Sequence, residues 1–277
     1  MAYAFEQNEP VPAAIARIMR EQIARARAQL TDEGEPREER VHDARKRFKE
    51  TRALLRMIRK PLGAQFAIEN AWFRDAGREL AAVRDADAVL EALATLELSR
   101  WVRARVKKHL TKNRDHAPLD AVIAKTMNQL TIAEARVALW PPLDDAFDTI
   151  AGGLRRIYRD AQRSMKTAHS AEAIHEWRKQ VKTHWYHAQL LQPIWPPVMK
   201  PYAEMLDKLS HLLGDHHDLH VLAENIGRKS PTVLRVAAAR QKELEEKAAE
   251  LGSRIFAEQP EAFLARIRKY WSTWRNS

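Results

Sequence analysis

Core-facing positions recur along most of this chain with the period of an α-helix. Between residues 41 and 58 they fall every three or four residues, at Val41, Ala44, Phe48, Thr51, Leu55 and Ile58. The same spacing returns at Ile174, Trp177, Val181, His184, Ala188 and Leu191. Runs of β-branched residues are scarce, and good helix formers such as Ala, Leu, Arg and Glu are abundant. The pattern predicts an all-α protein.

Prolines and turn residues divide this pattern into helices. We predict helices over residues 11–30, 37–60, 65–83, 86–114, 118–140, 143–168, 171–192, 197–213, 216–227, 231–257 and 260–276, with a break allowed inside 86–114. Pro141-Pro142 is the natural midpoint, because paired prolines end one helix and can begin another.

The two halves of the chain share a spaced set of residues. An offset of 133 residues superposes four cations, His42 on His175, Arg45 on Arg178, Lys46 on Lys179 and Lys49 on Lys182. It also places Arg84-Asp85 on His217-Asp218 without a gap. An offset of 135 aligns Ile15, Met19, Gln22, Ala26, Leu30 and Arg20 with Ile150, Leu154, Ile157, Ala161, Met165 and Arg155. We therefore predict an internal duplication, with pseudo-symmetric helical bundles at 1–142 and 143–277 around a basic central groove.

Cations follow the core-facing positions one residue later. The first series is His42, Arg45, Lys49, Arg52, Arg56 and Arg59, with Lys46 beside it; the second is His175, Arg178 and Lys182, with Lys179 beside it. Like charges spaced three and four residues apart on a helix repel by about 0.2–0.5 kcal/mol per pair. We infer that an external anion neutralises them, although acids on neighbouring helices (Glu79, Asp85, Asp87 or Asp218) are an alternative. Each series spans about 15–25 Å at 1.5 Å per residue, which favours a linear polyanion.

Charge and composition agree with a polyanion as the ligand. The 277 residues include 47 Lys and Arg against 37 Asp and Glu, a formal net charge of +10. There is no cysteine, which excludes thiolate catalysis and Cys-based metal sites. Glycine-rich phosphate loops and the GxSxG motif are missing. No apolar run is long enough to span a membrane, and the N-terminus does not resemble a signal peptide, so we expect a cytoplasmic protein.

Two linked motifs, each present twice, resemble the CHAD family, the conserved-histidine α-helical domain. His42, Arg45, Lys49 and Arg52 match the first motif, and Arg84, Asp85, Asp87, Val89 and Leu90 match the second. In the second half the corresponding segments are HEWRKQVK (175–182) and LLGDHHDLHVL (212–222). The resemblance implies an all-helical fold around a basic groove and binding of inorganic polyphosphate. It further implies a binding module rather than an enzyme, in some members associated with polyphosphate or polyester granules.

The predicted polyphosphate-binding residues come from both halves. They are His42, Arg45, Lys46, Lys49, Arg52, Arg56, His175, Arg178, Lys179 and Lys182, with Arg20 and Arg155 from the opposite wall of the groove. Arg27, Arg156 and Arg163 are weaker candidates. Trp185-Tyr186 removes one cation that the family pattern carries. The second half is therefore expected either to bind phosphate less strongly than the first or to use His184, His187 and His217 in part. Asp85 and Asp218 are expected to cap helix N-termini rather than to bind phosphate.

Other functions are compatible with parts of the sequence. Net charge alone does not distinguish polyphosphate from tRNA or DNA, but the first cation series has no interleaved aromatic side chains for base stacking. His216 and His220 could hold a metal, yet no third ligand is fixed by the spacing around His211 and His217. A phosphotransferase would need a carboxylate cluster for Mg²⁺ that we do not find. A scaffold at polyester granules would need an exposed apolar surface. We expect no cofactor, no resident metal and no catalytic residues.

Overall fold

The computed structural model describes residues 3–81, 85–110, 119–227 and 230–277, with the side chains of 85–88 and 119 left out. Its helices are α1 (Val11–Thr31), α2 (Arg37–Met57), α3 (Arg59–Leu62), α4 (Ala64–Ala81), α5 (Asp85–Thr95), α6 (Arg100–Leu110), α7 (Leu119–Val137), α8 (Asp148–Lys166), α9 (Ala171–Leu190), α10 (Pro196–Ile226), α11 (Pro231–Ile255) and α12 (Pro260–Asn276). These residues contain no strand, and the all-α prediction is confirmed.

Several helix limits differ from the predictions; α8, for example, begins at Asp148 instead of at 143. The break allowed within 86–114 falls at 96–99 and separates α5 from α6. Conversely, α10 continues through Gly214, where we predicted a break. The reason is burial, because Leu209 and Leu213 pack into the large core before that point and Leu219 and Leu222 pack into a second core after it.

The continuity of α10 corrects the predicted role of Asp218. This residue lies inside α10, so it is not a helix N-cap. The Arg84-Asp85 element falls largely outside the described residues: Arg84 is not described, and for Asp85 and Asp87 only the backbone is.

The predicted core positions are confirmed. All six members of each core-facing series are at most 3% exposed. Their apolar members join one large core that contains residues from α1, α2 and α4 as well as from α8, α9, α10 and α12. In each half the first two long helices pack together (α1 with α2, α8 with α9), and α2 also packs against α9. The division into repeats at 142–143 stays a prediction.

A second core lies beside the first. Val89 and Leu93 of α5 pack there with Leu219 and Leu222 of α10, and Val233 of α11 joins them. The N-terminal half of the chain is therefore tied to the C-terminal half of α10. Among the described helices, none combines the length and apolar character required for crossing a bilayer.

Two histidines are buried near the packing of α2 against α9. His187 Nε2 donates a hydrogen bond of 2.8 Å to the carbonyl of Ala53, and burial lowers its pKa to about 4. His184 Nε2 lies 2.7 Å from the Tyr202 hydroxyl, and burial lowers its pKa to about 3. Because both imidazoles are neutral core groups at most 1% exposed, the expectation that they share in anion binding is wrong.

Candidate functional site

Cations from α2 and α9 come together beside the packing of the two helices. We call Lys46 and Lys49 of α2 with His175, Arg178 and Lys182 of α9 the α2–α9 basic cluster. The pKa of Lys182 is lowered to about 8, mainly by burial and in part by the charges of Arg178 and Lys46, while Asp207 opposes the shift. Residues 136 positions apart therefore act on one another electrostatically, which the sequence predicts only through the two matching series.

Acids of α10 neutralise part of this cluster. Asp207 Oδ1 is 3.6 Å from Lys182 Nζ. Burial raises the pKa of Asp218, whereas Arg178 and Lys49 lower it. The sequence analysis considered neutralisation by acids on neighbouring helices as an alternative, and Asp218 is one such acid. The two acids of α10 lie beside Lys49, Arg178 and Lys182 of the cluster.

Two side chains of the cluster contain buried polar atoms without a partner. His175 stacks on His217 with ring centroids 4.0 Å apart. Burial and the neighbouring cations lower the pKa of both imidazoles, that of His217 to about 4. Within the described part of the chain, His175 Nδ1 and Arg178 Nε have no hydrogen-bond partner. Such groups cost about 1–3 kcal/mol each, so an added acceptor would stabilise them.

The glycine of the LLGDHH segment has a steric role at this site. A Cβ on Gly214 would lie 3.3 Å from Arg178 Nε and 3.5 Å from its terminal nitrogen. The missing side chain lets the guanidinium of Arg178 lie directly against α10. Gly214 of the second motif therefore helps to position Arg178 of the first motif.

Aromatic rings support Lys182 on its own helix. Its Nζ lies 3.6 Å from the centroid of the Trp185 ring and 5.6 Å from that of Tyr186. The Trp185-Tyr186 pair, which departs from the family pattern, thus holds a cation of the cluster in place of supplying one.

A second group of cations joins α2 to α4. Arg52, Arg56, Arg74 and Arg78 form the α2–α4 arginine cluster. The pKa of Arg52 is lowered to about 10, mainly by burial and in part by the charges of the other three arginines. Arg52 Nε donates to Asn70 at 3.2 Å, and Arg56 donates to Thr183 Oγ1 of α9 at 2.9 Å.

Sequence reasoning missed Arg74 and Arg78 as members of this site. Asp75 pairs with Arg74 at 2.8 Å and lies 3.7 Å from Arg78, so this cluster is also partly neutralised. The available signal was the spacing of the two arginines, four residues apart on the helix that follows the first cation series.

The predicted arginines of the first helices lie elsewhere. Arg155 on α8 is 3.7 Å from Glu261 of α12. Arg20 is exposed on α1 and shares no described contact with either cluster. The structure instead brings Arg156 close to the α2–α4 arginine cluster, where it donates a hydrogen bond of 2.7 Å to the Arg56 carbonyl. The pKa of Arg56 is lowered mainly by burial and in part by the charge of Arg156.

The accessible sides of α2 and α9 carry the remaining predicted residues, together with Lys49 of the α2–α9 basic cluster. His42 and Lys49 are exposed, and Arg45 is half-buried between them on the same series. Lys179 is exposed and pairs with Glu176 at 2.5 Å. These residues therefore lie on the two helices that also carry the α2–α9 basic cluster, and Glu176 neutralises Lys179.

The four histidines of α10 are engaged separately. His216 Nε2 donates to Glu245 at 2.9 Å, and His211 Nδ1 donates to the Asp207 carbonyl at 2.9 Å. His220 lies 3.6 Å from Glu224, while His217 stacks on His175. In the described ranges, no three potential ligands are grouped so that they could hold a metal ion.

The arrangement of helices agrees with the comparisons with known proteins. A family model of the CHAD domain matches residues 14–227. The chain belongs to the CHAD family. A crystal structure of the CHAD domain from the plant Ricinus communis superposes with a TM-score of 0.50 at 19% identity, covering 98% of this chain and 95% of that one. It shows the shared fold. No curated protein matches this CHAD chain.

Proposed function

We propose that this CHAD protein binds inorganic polyphosphate without catalysis, along a basic groove that includes cations of both halves. The observation that carries the proposal is the α2–α9 basic cluster, where Lys46 of one half lies close enough to Lys182 of the other to lower its pKa. Like charges are brought together at a cost that a bound polyanion would remove.

Two further observations support a chain of phosphates over a single one. The α2–α4 arginine cluster continues the cations of α2 beyond the first cluster, so anions would meet positive charge along several helical turns. The Nε–H of Arg178 donates to no acceptor among the described residues, and Nδ1 of His175 has no hydrogen-bond partner among them either. Arg forks and mobile Lys charges together suit a flexible ligand with many equivalent oxygens.

The proposal is tested by removing cations from each half. We expect Lys46→Ala and Lys182→Ala each to weaken binding of long-chain polyphosphate by about tenfold, since a hydrogen bond to a charged group contributes about 1.5–3 kcal/mol. The matched control is Lys166→Ala with Lys269→Ala, which removes two exposed cations outside both clusters. Isothermal titration calorimetry measures all variants. Unchanged affinity in either cluster variant contradicts a site shared by the halves.

The non-catalytic part has its own test. Incubation of the purified protein with polyphosphate and Mg²⁺ or Mn²⁺ should release no phosphate and transfer none to protein.

Cytoplasmic location and association with polyphosphate or polyester granules belong to the same proposal. Fluorescent fusions of the wild type and of Lys46→Ala with Lys182→Ala test them, because granule association through polyphosphate should be lost in the variant.

A further inference from the structure

Helix α6 presents a basic surface with an exposed tryptophan. It contains five Lys and Arg residues and no acid. Trp101, in its first turn, is 88% exposed, more than the other large apolar side chains that the structure describes at the surface. An exposed indole of this size costs hydration free energy, and neither cluster of the proposed polyphosphate site uses it.

The apolar face of α6 is already occupied. Val106 is buried in the second core, and Val102 and Leu110 pack against that core. Arg103 is tied inward, since it donates at 2.9 Å to the Leu96 carbonyl. The outward face is therefore Trp101 among cations rather than an apolar surface.

Trp101, Arg105 and Lys108 lie in one line on this outward face. Their spacing of four and seven residues puts them on the same side of the helix, with all three exposed. At 1.5 Å per residue, the two cations lie about 6 and about 10 Å from Trp101 along the axis. Arg100, also exposed, adjoins Trp101 in the chain. The Trp101 ring thus has one cation next to it in the chain and two more on the same side of α6.

We propose that α6 binds single-stranded nucleic acid, with a base stacked on Trp101 and backbone phosphates at Arg100, Arg105 and Lys108. Aromatic side chains in basic surroundings bind single strands in this way, because every base offers a π-face and every linkage offers a charge. The charge of α6 complements such a strand. A membrane helix would instead expose several large apolar residues on one face, whereas the apolar residues of α6 other than Trp101 and Ala104 face the core.

The test separates stacking from charge. Binding of fluorescein-labelled rU12 and dT12 is compared with an abasic 12-mer of equal charge by fluorescence anisotropy. We expect both base-containing strands to bind at least about fivefold more tightly than the abasic strand, the effect expected of one stacked base. Trp101→Ala should abolish this difference, and Trp101→Phe should keep most of it. If Trp101→Ala weakens binding of rU12 and dT12 equally, the surface binds single strands in general. If it weakens binding of only one of them, that strand identifies the ligand as RNA or as DNA.

Controls keep this test independent of the proposed polyphosphate function. Leu139→Ala removes another exposed apolar side chain, of 79% exposure, and should change nothing. Lys46→Ala with Lys182→Ala should keep the Trp101-dependent difference, and Trp101→Ala should keep wild-type affinity for polyphosphate. Equal affinity for abasic and base-containing strands overturns the proposal. So does Trp101-dependent binding to phosphatidylserine vesicles without any strand preference.

Discussion

At the scale of single residues, Lys182 shows how the site couples charge to burial. Its ammonium is partly removed from water and is supported by the Trp185 ring and by Asp207. Burial is the largest cause of its lowered pKa of about 8, and Arg178 and Lys46 add to it. Near neutral pH this residue is charged, but it loses its proton within the range of an ordinary binding experiment.

Lys182 should therefore make polyphosphate binding pH-dependent on the alkaline side. A bound polyanion favours the charged ammonium and raises its pKa, so binding takes up a proton above about pH 8. Affinity should be flat below about pH 7 and fall by up to tenfold per unit as pH rises further, by linkage. Calorimetric titrations from pH 6 to 10 measure this.

Arginine variants provide the control for this pH dependence. Lys182→Arg keeps its charge throughout the range and should flatten the profile. Lys46→Arg should leave the wild-type profile in place, because Lys182 is unchanged. Profiles that run parallel for wild type and Lys182→Arg would show that another group titrates.

The sequence predicts whether a residue is buried or exposed only where the helical periodicity of the pattern determines it. The exposed or half-buried positions of His42, Arg45, Lys49 and Arg52 follow from their place one residue beyond the core-facing positions. The partners of these cations could not be predicted, because Arg74, Asp207 and Asp218 reach them only after α4 and α10 have packed against α2 and α9.

At the scale of helices, α8 approaches the end of α2 closely enough that a single methyl group decides the packing. A Cβ on Gly153 would lie 2.0 Å from the Met57 carbonyl oxygen and 2.5 Å from its carbonyl carbon. Gly152, next to it on α8, is exposed and would meet nothing within 4 Å. The pair provides a matched comparison within one helix.

We expect opposite effects from alanine at these two positions. Gly153→Ala must separate α8 from the backbone of α2, which should lower the free energy of unfolding by about 3 kcal/mol, at the upper end of ordinary overpacking. Gly152→Ala should raise it by up to about 1 kcal/mol, because alanine favours the helix. Urea denaturation followed by circular dichroism measures both. Equal stability of the two variants would show that the helices separate without cost.

Helix existence could be predicted better than helix continuity. The long periodic segments gave α1, α2, α9 and α12 nearly at their observed limits. Gly214-Asp215 suggested an end because glycine weakens a helix locally. In α10 that weakness is outweighed by burial on both sides and by the room that Gly214 leaves for Arg178. The decisive contact comes from another helix, so no local pattern contains it.

At the scale of the whole molecule, the helices with matching cations are also the helices that meet. α2 packs against α9, and their clusters lie beside that packing together with acids of α10. The pattern predicted which helices carry the charge and that the charges repeat. Asp218 of α10 was among the acids considered as an alternative, whereas Asp207 was not, because it carries no signal in the first half of the chain.

The salt dependence of polyphosphate affinity measures how many of these charges act together. If about six to ten cations neutralise phosphates, the logarithm of the affinity should fall linearly with that of salt concentration. By analogy with nucleic acids, about 10³–10⁵ in affinity should be lost between 50 and 200 mM salt. Arg52→Ala should reduce the slope by about one, whereas Trp101→Ala should leave it unchanged. EDTA should have no effect, since anions here would meet cations directly. A slope of about one or two would mean only one or two phosphate contacts and would contradict the groove. Loss of binding in EDTA would require a metal and would contradict it as well.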